Sequence, residues 1–224
     1  MKFVIYSICI PFLFFILFCS SCNQAKSKKD RKSEGTKQQK LIVKGINIPD
    51  TILLVSMSFG EINLIDPIES KVTSFYHIPV KRVIAPLPAF AFFKQRNRYR
   101  ADSLLNYLAA INNGRYRFVA GLTSKDISCT NGQIPDWGVF GLGSLSAKGC
   151  VTSSYRLKKN ASLRLLTERI QKVILHEIGH NHGLNHCLSP YPCFMKAANG
   201  KISEVDSEPM DMCKLCREKI NLKF

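Results

Sequence analysis

Residues 176–187 read HEIGHNHGLNHC. Four of the chain's five histidines fall in this stretch, and a glutamate follows the first. His176 and His180 are four apart, so on an α-helix their imidazoles lie on one face, one turn apart. Two imidazoles placed this way can hold one zinc ion from the same side. Glu177 points to an adjacent face and can reach a water on the metal without being a ligand itself. Gly183 takes φ > 0 at low cost, so it can end the helix and turn the chain back. That turn would carry His186 round as a third ligand. Three nitrogens leave the fourth tetrahedral position for water, as a catalytic zinc requires. His182 falls off this face and reads as a bystander.

A helix that merely happens to contain histidines is the competing reading. A bare HExxH is weak evidence, but Gly183 and His186 add two fixed positions. A purely structural zinc site, in a domain that only binds a peptide or another protein, would have no use for the base that Glu177 provides.

Downstream lie Cys187, Cys193, Cys213 and Cys216, the last two spaced CxxC. Four thiolates can close a tetrahedral zinc site with no open position, which is a structural role. Such a site would clip the tail to the segment leaving the helix. Two disulfides are the alternative in an exported chain. The CxxC spacing and the adjacent histidines favour zinc. Cys129 and Cys150 fall outside both sets, as buried free thiols or as a bridge between strands.

A helix over 161–183 must carry the histidines. Ahead of it, apolar runs at 51–59, 82–90 and 117–123 read as buried strands, the second ended by its prolines. Segments 66–77 and 99–114 have apolar residues at helical spacing. The first starts with Asp66 and Pro67, and the second stops at Asn-Asn-Gly. Segments 139–145 and 149–157 read as a strand hairpin. Strands alternating with helices, then a hairpin, predict a mixed, mainly parallel sheet with one antiparallel edge.

The first 44 residues are of another kind. Lys2 precedes an apolar stretch over 3–19, followed by Ser20, Ser21 and Cys22. This reads as a signal peptide over 1–21 with lipidation at Cys22, although Cys19 stands where leucine is usual at such a site. Cys19 itself is a worse acceptor, since bulky Phe18 precedes it. An uncleaved membrane anchor is the alternative. Residues 22–44 are polar and lysine-rich, and read as a tether that anionic headgroups would attract. They carry +6 of the formal +16, and residues 45–224 carry +9. A basic chain can bind nucleic acid, but no nucleic-acid motif is present and an exported chain rarely meets it. The reading is a monomeric domain on a bacterial envelope, membrane-bound through its lipid, with a peptide or protein substrate.

The chain resembles the archaemetzincins, a branch of the metzincin zinc peptidases. Their pattern is HExxHxxGxxHC, a short loop, CxM, seventeen residues, then CxxC. Here it runs from His176 to Cys187, through Cys193-Phe194-Met195 and seventeen residues, to Cys213 and Cys216. The loop LSPYP has five residues where the family usually has four. The segments RYRADSLLNYL and GLTSKDI also look like family segments, extending the likeness over most of 50–222. The resemblance implies a metzincin-like zincin fold, α/β, with its C-terminal segment clipped by a structural zinc. It implies two zinc ions. The catalytic one sits on His176, His180 and His186 with Glu177 as base. The structural one sits on Cys187, Cys193, Cys213 and Cys216. Met195 would be the methionine of the turn beneath the catalytic zinc. Activity on small peptides, aminopeptidase-like in some members, is implied too. Substrate would lie along the edge strand near 139–144 by strand addition.

Overall fold

A computed structural model describes residues 50–145 and 149–222. The residues read as a signal peptide and tether, Cys22 among them, lie outside the described residues. No helix among the described residues is long and apolar enough to cross a membrane.

The first sheet has five strands. In chain order they are β1 (Ile52–Ser56), β2 (Val80–Ile84), β5 (Phe118–Thr123), β8 (Gly141–Gly143) and β9 (Gly149–Ser153). Their order in space is β2-β1-β5-β9-β8. Every pairing is parallel except β8 with β9, so β8 is the antiparallel edge. The expected sheet is therefore the observed one.

β1 shows why its sequence is continuously apolar. Successive strand residues face opposite sides, and both sides are covered. Ile52 and Leu54 join a core with Ile68, Val72 and Phe75 of α1 (Ile65–Tyr76) and Ile170, Ile174 and Ile178 of α3 (Leu163–Asn181). Leu53 and Val55 join a second core with Leu104 and Leu108 of α2 (Ala101–Asn112). The helix stops expected at Asn-Asn-Gly are real, since Asn113 and Gly114 both have positive φ.

A second, four-stranded sheet was not foreseen. It comprises β3 (Phe92–Phe93), β4 (Arg98–Arg100), β6 (Ile127–Asn131) and β7 (Ile134–Val139), in the order β3-β4-β6-β7. Charge holds it to the rest. Asp126, at the head of β6, accepts two hydrogen bonds from Arg156 at 2.6 and 3.0 Å and pairs with Arg98 at 3.1 Å. Expected strand boundaries shift, the strands read over 51–59 and 149–157 ending at Ser56 and Ser153. The strand read over 82–90 ends at Ile84, with the proline-rich remainder outside it. The strand read over 139–145 is two pieces, because the chain leaves the second sheet at Val139 and joins the first at Gly141.

Beyond α3 come two short helices, α4 (Ile202–Ser207) and α5 (Lys214–Lys219). Buried Arg169 of α3 anchors this tail. It donates to both carboxylate oxygens of Asp206 at 2.7 and 2.8 Å, and to the carbonyls of Leu157 and Lys159. Lys172 donates to the carbonyls of Val205 and Asp206.

Candidate active site and cysteine cluster

Local sequence sets up α3. Ser162 caps it, its hydroxyl accepting from the N–H of Leu165, which satisfies one orphan donor. The helix ends in a Schellman turn. Leu184 N–H donates to the Gly179 carbonyl, Gly183 N–H to that of His180, and Gly183 has φ +90°. This turn brings His186 back to the helix. One ring nitrogen from each of His176, His180 and His186 lies within 4.8 Å of the others.

Carbonyls settle the tautomers of the two helix histidines. His176 Nδ1 donates to the carbonyl of Phe194 at 2.7 Å, and His180 Nδ1 to that of Leu184 at 2.6 Å. A carbonyl can only accept, so each Nδ1 carries the proton and each Nε2 presents a lone pair. The two Nε2 atoms are 3.0 Å apart. Two lone pairs that close repel unless a cation lies between them. Burial, then the neighbouring His180, pushes His176 down to about 3. Burial also lowers His180 and His186. All three imidazoles are thus neutral at neutral pH, and the donor set fits zinc.

Glu177 is 7% exposed. Burial pushes its carboxyl up to about 8, opposed in part by the N–H of Gly143, which hydrogen-bonds to it. β8 lies directly on this residue. A Cβ at Gly141 would come within 2.6 Å of Glu177 Oε1, and one at Gly143 within 2.5 Å of the Glu177 carbonyl oxygen. Only glycine permits that approach. In the β8–β9 ladder, Ser144 N–H donates to Gly149 and Ser153 N–H to Phe140. By antiparallel alternation the main-chain groups of Gly141 and Gly143 then face away from β9.

The histidines and Glu177 floor a cleft of about 520 Å³. Its upper wall is residues 137–143, and its lower wall is α3 with the loop 196–200. Trp137 nearly touches that loop, since a Cβ at Gly200 would come within 3.2 Å of the indole. Gly141, Gly143 and Trp137 were not singled out from sequence. The glycine pair in VFGLGSL was the available signal.

The expected bystander is one. His182 stacks on Tyr76 at 5.0 Å and meets Phe118 edge-on at 4.7 Å. Met195 is fully buried beneath α3, where a Cβ at Gly179 would come within 2.4 Å of its sulfur.

The four cysteines Cys187, Cys193, Cys213 and Cys216 also converge, their sulfurs lying within 4.8 Å of one another. Cys187 Sγ and Cys213 Sγ are 3.7 Å apart. Zinc at about 2.3 Å from each sulfur requires edges of roughly 3.8 Å, whereas a disulfide closes to about 2.0 Å. The cluster fits a structural zinc. Main-chain bonds reinforce it, from Cys187 N–H to the Met195 carbonyl and from Phe194 N–H to that of Asp211. Cys129 and Cys150 are separate free thiols, one on β6 lining the cleft and one buried on β9.

The model of peptidase family M54 matches residues 63–222. The archaemetzincin of Methanopyrus kandleri is 32% identical over 164 residues, covering 72% of this chain and 89% of the relative. That of Nanoarchaeum equitans is 36% identical over 152 residues, covering 66% and 77%. Among solved structures, an archaemetzincin from Methanopyrus kandleri superposes with a TM-score of 0.67 at 30% identity, covering 81% of this chain and 97% of its own. Another, from Archaeoglobus fulgidus in complex with malonate, gives 0.65 at 26% identity, covering 75% and 99%. With the three imidazoles, the glutamate and the thiol cluster in one fold, the chain belongs to peptidase family M54, the archaemetzincins, and is a zinc metallopeptidase.

Proposed function

We propose that this chain hydrolyses peptide bonds at a zinc ion held by His176, His180 and His186, with Glu177 as general base. The observation that carries this is a buried carboxyl lying under the edge strand, next to three neutral imidazoles on one cleft floor. Zinc bound there supplies a Lewis acid that polarises the scissile carbonyl and acidifies a water.

The chain's own residues do the rest. The outward main-chain groups of Gly141 and the Gly143 carbonyl pair with an extended substrate by strand addition, while the Gly143 N–H stays on the Glu177 carboxylate. Glu177 takes the proton of the attacking water and passes it to the leaving amine. Burial raises its proton affinity toward neutrality, where one group can serve as both acceptor and donor. The Phe194 and Leu184 carbonyls hold the imidazoles in the ligating tautomer. A second, structural zinc sits on Cys187, Cys193, Cys213 and Cys216. Small peptides are the substrates, with aminopeptidase-like cleavage as in some archaemetzincins. The domain acts as a monomer on a bacterial envelope, tethered through a lipid on Cys22. That last part rests on the sequence of residues 1–44.

The test is Glu177→Gln, which keeps shape and removes the base. Peptide cleavage should fall by about 10²–10⁴-fold while zinc content stays at the wild-type level. Cleavage within tenfold of wild type would remove Glu177 from the mechanism.

A further inference from the structure

Asn181 is the last residue of α3, directly after His180. Its Nδ2 donates to the carbonyl of Ser144 at 3.0 Å and to that of Gly149 at 2.8 Å. Ser144 and Gly149 face each other at one end of the β8–β9 pair, joined by the Ser144 N–H at 3.2 Å. One side-chain amide of the zinc-site helix therefore holds both arms of the hairpin at once.

β8 is a strand that needs holding. It is three residues long, two of them glycine, and among the described residues β9 is its only neighbour in the sheet. Glycine main chain has the most freedom to lose on ordering. At its other end β8 is fixed through Phe140, whose carbonyl accepts from Ser153 N–H at 2.8 Å. Asn181 is the matching pin at the Ser144 end. Between the pins, bare glycine backbone rests on Glu177, and the Gly143 N–H meets its carboxylate. No side chain cushions that contact. Any lift of β8 moves the outward main-chain groups and the Glu177 partner together.

We propose that Asn181 is a positioning residue for peptide hydrolysis. It couples the zinc-site helix to the substrate-binding edge and sets the height of β8 over Glu177. This rests on the peptidase reading above. Asn181 itself touches no substrate. Its action runs through the edge strand that does.

The experiment compares wild type with Asn181→Ala. Asn181→Asp, which keeps the shape but turns an acceptor toward the two carbonyls, is the second variant should the first unfold. Zinc content and melting temperature establish that each variant is loaded and folded. Hydrogen exchange is followed in segments 140–153 and 163–180, and cleavage of one peptide is resolved into KM and kcat. Losing one or two hydrogen bonds should speed exchange of 140–153 by about tenfold, with 163–180 unchanged. KM should rise by about tenfold because the edge binds substrate and transition state alike, and kcat should fall by a smaller factor through the displaced Gly143 N–H at Glu177. Unchanged exchange over 140–153 would show that Asn181 does not hold the hairpin, and overturns the proposal. Faster exchange with unchanged KM also overturns it, leaving Asn181 a purely structural residue. Wild type that cleaves no peptide would overturn the peptidase reading instead, a result visible before any variant is compared.

Discussion

Met195 lies against Gly179, the glycine between Glu177 and His180 in the HEIGH stretch. Its sulfur sits where a Cβ would come within 2.4 Å, and the Met212 methyl closes the same site at 3.3 Å. The zinc-site helix thus rests on a methionine shelf that only glycine accommodates. Gly179→Ala should cost about 1–3 kcal/mol in overpacking, offset by about 1 kcal/mol of helix propensity. The net loss, on the order of 1 kcal/mol, should lower Tm by roughly 2–4 °C. Met195→Ala makes room, so thermal melts of the double variant should show less than the sum of the two losses. Simple additivity would mean the shelf contact carries no energy.

The histidine and cysteine clusters should fail differently. α3 presents His176 and His180 whether or not metal is bound, so His186→Ala should weaken zinc binding and activity with little loss of fold. Residues 196–209 contribute Val205 to the core but little else that is fully buried. Cys213 and Cys216 must close on Cys187 and Cys193 across that stretch, so their zinc-binding energy is largely local folding energy. Cys213→Ser should lower Tm more than His186→Ala and expose 196–216 to limited proteolysis. A Cys213→Ser protein that melts like wild type with a protease-resistant tail would contradict the structural role.

His182 predicts an acid limb in stability. Burial first, then the nearby Arg117, pushes it down to about 4. A base whose folded pKa is depressed is protonated first in the unfolded chain. Its contribution is therefore complete above about pH 6.5 and is lost as pH falls toward 4. Between pH 7 and 5 the loss is on the order of 2 kcal/mol. His182→Phe keeps an aromatic ring beside Tyr76 and Phe118 and cannot titrate. Its Tm should fall less between pH 7 and 5 than that of wild type, and parallel curves would remove His182 as a cause.

Cys22 should carry the lipid. Cys22→Ser should abolish incorporation of a fatty-acid analogue and leave unprocessed precursor on a gel. Labelled, processed Cys22→Ser protein would refute the anchor.

What the sequence alone determined is the chemistry that runs along one stretch of chain. HEIGHNHGLNHC specifies a helix of period 3.6, two imidazoles on one face and a glycine stop that returns His186. These depend on neighbours within about ten residues, so spacing is enough to read them. The buried strands β1 and β5 were legible for the same reason, as continuous apolar runs covered on both faces. The second sheet was not. Its β6 and β7 are half-exposed and carry Pro135, and β4 pairs with a partner far along the chain, Tyr99 with Ile127. No local pattern encodes such a pairing. Only the tertiary structure decided what lies over Glu177. That Gly141 and Gly143 are bare to admit the carboxylate, that Asn181 reaches back 37 residues to Ser144, and that Trp137 meets Gly200 across the cleft all follow from close packing of distant segments. Residue types announce a ligand or a base, but the space around it exists only once the sheet edge, the helix and the tail are folded against one another.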